Sequence, residues 1–151
     1  QVSPMLARRS SGSRRRGAAM VETALVLPVF LLLVLGIIEF GRALMVANMV
    51  TNAAREGARM AILDGSTNSQ VQTAVEDFLV ASLGVARGDI TTNITIQAAP
   101  GNTNPGNQCA NAQSRDLITV EVRIPFAKVA LVEGDFLQGK NLIGRSAMRH
   151  E

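Results

Sequence analysis

From Ala18 to Ile38 the chain runs 21 residues with a single charged side chain, Glu22. A hydrocarbon layer of about 30 Å takes about 20 helical residues to cross, so the run has the length of a membrane span. An acid within such a helix is costly unless it meets a partner, which makes Glu22 a functional candidate. Pro28 lies inside the run, where it removes a backbone donor and predicts a kink or a local loosening. Gly36 and Gly41 flatten the helix surface and permit close approach of another helix, although their spacing is not the strict four-residue one. Glu39 and Arg42 mark the far interface, three residues apart and so able to pair on one helix face.

Charge divides the chain at the start of this run. Arg8, Arg9, Arg14, Arg15 and Arg16 precede Gly17 with no acid among them, giving +5; from Ala18 onward ten basic side chains face twelve acidic ones, giving −2. The high isoelectric point therefore belongs to the leader and not to the body. A basic tail can neutralise phosphates, but arginines directly before an apolar helix are better read as holding the N-terminus on the cytoplasmic side. Nucleic acid is accordingly not an expected partner. Residues 1–17 hold few large apolar side chains, and that composition argues for disorder.

Beyond the span the helical pattern continues. Residues 43–63 lack proline and are rich in Ala, Met and Leu, good helix formers. Leu44, Ala47, Val50, Ala54, Ala58 and Ala61 trace a narrow small-residue stripe, and Asp64-Gly65-Ser66 ends it. Unbroken from Ala18 to Leu63, such a helix is roughly 70 Å long. Gly57 costs roughly 1 kcal/mol against Ala in a helix interior, so its presence predicts close packing, most simply by the chain's own sheet. Glu56 and Arg59 read as a local, solvated ion pair.

A second helix is expected from about Ser69 to Leu83, capped by Asn68 or Ser69 and closed by Gly84. Alternation at Ile90, Thr92, Ile94 and Ile96, and again over 117–124, predicts two strands, with a third short one over 142–148. Residues 98–114 read as a long exposed loop with Cys109 as a free thiol in it, and Phe126 and Phe136 as packing anchors of an irregular segment. The expected fold class is α+β: a basic leader over 1–17, a transmembrane helix over 18–42 running on from it, and over 43–151 a small exported domain with a second helix and a short antiparallel sheet.

The spacing of Gly17 and Glu22 supports a chemical reading. A peptidase cutting after glycine meets no side chain at the cut and leaves Ala18 as a new α-amino group, cationic at neutral pH. Glu22 lies one helical turn further, within reach of that amine in its own chain or in a neighbour. In low dielectric the pair satisfies two charges that are costly alone. The plain alternative is an incidental interfacial acid favoured by the helix dipole.

The run Arg16-Gly-Ala-Ala-Met-Val-Glu-Thr-Ala-Leu-Val-Leu-Pro28, followed by Gly36-Ile-Ile-Glu-Phe-Gly-Arg42 and Asn52-Ala-Ala-Arg-Glu-Gly-Ala-Arg59, resembles the TadE-like family, minor pilins or pseudopilins of tight-adherence, type IVb-like pilus systems. The resemblance covers about residues 15–62, with a weaker echo in the tail from Ser146. It implies that a prepilin peptidase cuts after Gly17 and that Glu22 is the acid at position five of the mature chain. It further implies partners: other pilin subunits, an assembly platform with its ATPase, and the lipid of a bacterial inner membrane, with the C-terminal domain periplasmic. Thr23 departs from the tyrosine usual after that glutamate in major pilins, which fits a minor subunit better.

No nucleophile motif, phosphate loop or paired-carboxylate site stands out, so no enzyme and no cofactor are expected. One histidine, His150, and one cysteine do not make a zinc site, and His150 reads as solvated. The acid-free loop 98–114 makes a tight calcium site improbable. Two other classes stay open. One is a permanent single-pass membrane protein whose exported domain binds a partner or surface; the other, a secreted protein cut after Ala47, would sever a continuous helical pattern.

Overall fold

The first helix, α1, spans Gly12–Ala61 without interruption and carries Pro28 inside it. A computed structural model describes residues 12–130 and 139–151; Arg8, Arg9 and Phe136 lie outside the described residues. The helix starts earlier than composition implies, because Gly12–Gly17 are helical where an irregular leader is expected. Extending a nucleated helix fixes one residue per added turn bond, and arginine is a good helix former. The chain divides into two units, Gln1–Ile38 and Glu39–Glu151.

In the second unit α1 supplies one wall of the core. Ala43, Val46, Val50, Ala53, Ala54, Ala58 and Ala61 are buried. The expected stripe is therefore right at Val50, Ala54, Ala58 and Ala61 and wrong at its start. Leu44 is exposed and Ala47 only half-buried, because the buried face follows 43, 46, 50, 53 and 54.

Helix α2 spans Asn68–Leu83, and its cap is Thr67 rather than Asn68 or Ser69. The Thr67 hydroxyl accepts from the Gln70 N–H, and the Gln70 side chain accepts in return from the Thr67 N–H at 2.9 Å. This reciprocal box satisfies two donors that a helix start otherwise leaves open. Gly84, at φ 68°, ends the helix with its N–H on the Val80 carbonyl. Val71, Val75 and Leu79 face the core.

Three strands complete the unit: β1 Thr91–Gln97, β2 Leu117–Pro125 and β3 Asn141–Arg149, antiparallel in the order β1-β2-β3. The register aligns Ile94 with Val120 and Ser146, and Ile96 with Ile118 and Met148. Side chains alternate across a strand, so Ile118, Val120, Val122 and Ile124 all enter the core, where each is fully buried. The α+β class is as the sequence indicates.

Two glycines set how closely these layers approach. A Cβ at Gly57 would stand 2.7 Å from Val75 Cγ2 and 3.3 Å from Val120 Cγ1, so both α2 and β2 close over α1 there. A Cβ at Gly144 would lie 2.5 Å from the Val50 carbonyl carbon and oxygen, with β3 backbone against helix backbone. Valine methyls can shift; a helix backbone cannot. We predict that Gly144→Ala lowers stability by about 3 kcal/mol or more through overpacking. Gly57→Ala should cost less, because about 1 kcal/mol of helix propensity offsets its clash. Denaturant unfolding of the two variants measures the difference, and equal losses would contradict the backbone contact.

Candidate assembly segment

Gly17, Ala18 and Glu22 lie within α1, with Ala18 and Glu22 one turn apart. Every residue from Gly17 to Leu33 is exposed. The apolar side chains are no exception: Met20, Leu25 and Phe30 keep 73%, 72% and 57% of their surface. The helix is long and apolar enough to cross a membrane once, with a window of mean hydropathy 2.6 of which nothing is buried within the chain. Apolar surface on this scale is strongly favoured out of water, so its cover comes from outside the chain. Thr23 donates its hydroxyl to the Ala19 carbonyl at 2.9 Å, which satisfies it inside the helix.

Pro28, Gly36 and Gly41 belong to the same surface. A Cβ at Gly17, Gly36 or Gly41 would meet nothing within 4 Å. Nothing among the described residues therefore requires glycine at those three positions, in contrast to Gly57 and Gly144.

The polar groups of the second unit hold its frame together. Arg42 donates from Nε to the Val129 carbonyl. Glu56 and Arg59 approach to 3.9 Å with both side chains more than half exposed, the solvated pair expected. The segment 98–114 is not simply an exposed loop. Asp116, fully buried, accepts from the Ala99 N–H at 2.8 Å and the Asn102 amide at 2.6 Å on Oδ1, and from the Gln113 N–H at 2.9 Å on Oδ2. Asn107 accepts from the Ile96 N–H on its Oδ1, and its carbonyl accepts from the Asn68 amide, both at 2.8 Å. Asn68 in turn accepts from the Cys109 N–H at 2.8 Å.

These bonds correct two sequence readings. Cys109 is the free thiol expected, but it is buried and not in an open loop; Asn68 draws its backbone in against α2, and burial pushes the thiol pKa up. His150 is only 6% exposed, not solvated. Its N–H donates to the Asp116 carbonyl at 2.9 Å and its own carbonyl accepts from Arg115, which carries the β2–β3 ladder one step past Arg149. With Arg149 facing out, the next residue must face in. His150 Nε2 lies 3.6 Å from the exposed Asp64 carboxylate. Among the described residues no group of three His, Cys, Asp or Glu side chains is placed to hold a metal.

The exposed apolar helix, with its acid one turn beyond Ala18 and its glycines free of internal contacts, is the part of the chain that known proteins share. Residues 17–59 match the family model of TadE-like protein. The match opens on Gly17 and takes in Glu22, Pro28, Gly36, Gly41 and Gly57, while α2 and the sheet lie beyond the TadE-like segment. No curated protein and no solved structure matches the chain.

Three hydrogen bonds to a buried carboxylate have a pH consequence. The Ala99 N–H above all, then the Gln113 N–H and the Asn102 amide, hold the Asp116 carboxyl below its ordinary value of 3.8. A carboxylate whose pKa falls on folding contributes stability that is complete above the unfolded value and is lost as pH drops through the folded one. Asp116→Asn should therefore lower the unfolding temperature at neutral pH. Its deficit should shrink as pH falls below about 3.8, where the parent loses the same charge. A constant deficit down to low pH would mean that shape, not charge, sets the role of Asp116.

Proposed function

We propose that this chain is the precursor of a minor pilin, or pseudopilin, in a Tad pilus system. The observation that carries the reading is the uncovered apolar surface of α1, inside a TadE-like match that begins at Gly17. The family match supports association with a Tad pilus; the finer steps rest on the chemistry of the residues.

The leader arginines keep the N-terminus cytoplasmic, and α1 holds the subunit in the inner membrane with its body in the periplasm. A prepilin peptidase cuts after Gly17, removes the +5 leader and creates a cationic amine at Ala18. Glu22, one turn on, pairs with that amine, in its own chain or in a neighbour already in the filament. The pair lets two charges enter an apolar assembly that neither enters alone. The platform and ATPase then move the helix from lipid into the helix-packed core of the filament, exchanging one apolar cover for another. Gly36 and Gly41, free of internal contacts, are the positions at which neighbouring helices approach most closely. The same helix serves a permanent anchor equally well, and leader processing distinguishes the two. Secretion by cleavage after Ala47 is disfavoured, since it would remove Ala43 and Val46 from the core.

N-terminal sequencing and intact mass of protein from the native host's membranes and sheared filaments test the reading. An N-terminus at Ala18, lost in Gly17→Val, is the expected result; an intact leader in membranes alone points to the permanent anchor. Glu22→Ala should insert in the membrane normally yet reach filaments at about a tenth of the parent level or less, the loss expected for one unpaired buried charge. Normal filament recovery of that variant would remove the pairing role.

A further inference from the structure

The sheet has a second face, turned away from both helices. Strand alternation places Thr91, Asn93, Thr95 and Gln97 of β1 on it, and all four are exposed. From β2 it receives the half-buried Leu117 together with Thr119, Glu121 and Arg123, and from β3 the exposed residues Ile143, Arg145, Ala147 and Arg149. Three arginines against one glutamate give this face +2. The second unit as a whole, residues 39–151, carries ten basic and eleven acidic side chains, hence −1. Positive charge is thus segregated onto the sheet, against the balance of the body. Arg123 is held by Glu121, with Nε 2.7 Å from Oε1. That leaves Arg145 and Arg149 on the edge strand as the charges facing outward; the ion pairs of the described residues involve neither.

From this we infer that the outer face of the sheet is a docking surface for an anionic polysaccharide. Charge complementarity selects a polyanion. The remaining chemistry of the face selects its class. A protein partner is anchored by buried aromatic or large apolar side chains, and here Ile143 is the one large exposed apolar group. Single-stranded nucleic acid is held by aromatic stacking, and no aromatic residue lies on these strands. A row of Thr, Asn and Gln side chains, each offering donors and acceptors, suits hydroxyl groups along an acidic sugar chain. Arginine forks suit its carboxylates or sulfates. A linear polymer also suits groups repeated in rows along neighbouring strands. This assignment is independent of leader cleavage and of filament entry.

The test uses the full chain in detergent micelles and measures binding to alginate, a polyuronate, with dextran as the neutral control and duplex DNA as a second polyanion. Because the leader is itself basic, the decisive comparison is between two variants with the same loss of charge. Arg145→Gln/Arg149→Gln should weaken alginate binding about tenfold, and Arg55→Gln/Arg59→Gln on α1 should leave it close to the parent. The parent's affinity should fall steeply with salt. Equal losses in both variants, or an unchanged Arg145→Gln/Arg149→Gln protein, would overturn the site. Equal binding to dextran would overturn the role of charge, and tighter binding of DNA through the same two arginines would overturn the polysaccharide class. Far-ultraviolet circular dichroism of each variant separates a lost contact from a lost fold.

Discussion

The second unit depends on how near a strand can come to a helix. β3 crosses α1 with Gly144 against the backbone of Val50, a separation that a side chain at position 144 would not permit. Once that contact is set, the rest of the inner face follows. β2 is paired to β3 in fixed register, so Val120 arrives over α1 at Gly57. Helix α2 then closes at Gly57, where Val75 and Val120 meet across the missing Cβ. The small residues of α1 between Ala43 and Ala61 are thus half of a close-packed joint whose other half is a glycine 94 positions after Val50. Interiors pack at crystal-like density, so one methyl group at this joint displaces a layer, not an atom.

Glycine has opposite meanings at the two ends of α1. At Gly57 and Gly144 its absence of side chain is used up by the chain's own atoms. At Gly17, Gly36 and Gly41 nothing of the chain lies near, and around them the apolar side chains of α1 are left in the open. The same helix therefore carries one face finished by the fold and one segment finished only by surroundings.

Much of this was legible in the sequence. The apolar run, the alternation in β1 and β2, Gly84 as a stop and the packing reason for Gly57 all follow from local periodicity and the conformational needs of glycine. What was not legible depends on distant partners. Gly144 looks like any glycine in a short polar strand, because the helix that demands it is far away in sequence. Cys109 lies among Asn, Gly and Pro, and only the bonds of Asn68 and Asn107 draw that loop inward. Thr67 took the cap from its two neighbours because Gln70 sits three residues on and completes the box. His150 could have been placed, since extending the alternation of β3 by one residue turns it inward. The segment over 17–59 is the clearest case: its resemblance to the TadE-like family was legible from pattern alone.

The position of β3 late in the chain has a consequence for biogenesis. The strand that closes on α1 at Val50 is made of residues 141–149, so that part of the helix face lacks its cover until those residues have been made. Contacts between segments so far apart in sequence form late, since the loop between them must be closed before they contribute. Until then α1 has an incompletely covered small-residue face and β2 an unpaired edge, both open to unwanted pairing. Completion of β3 acts as a quality gate: a chain without residues 141–149 would keep its long apolar helix and lose the strand that closes on it.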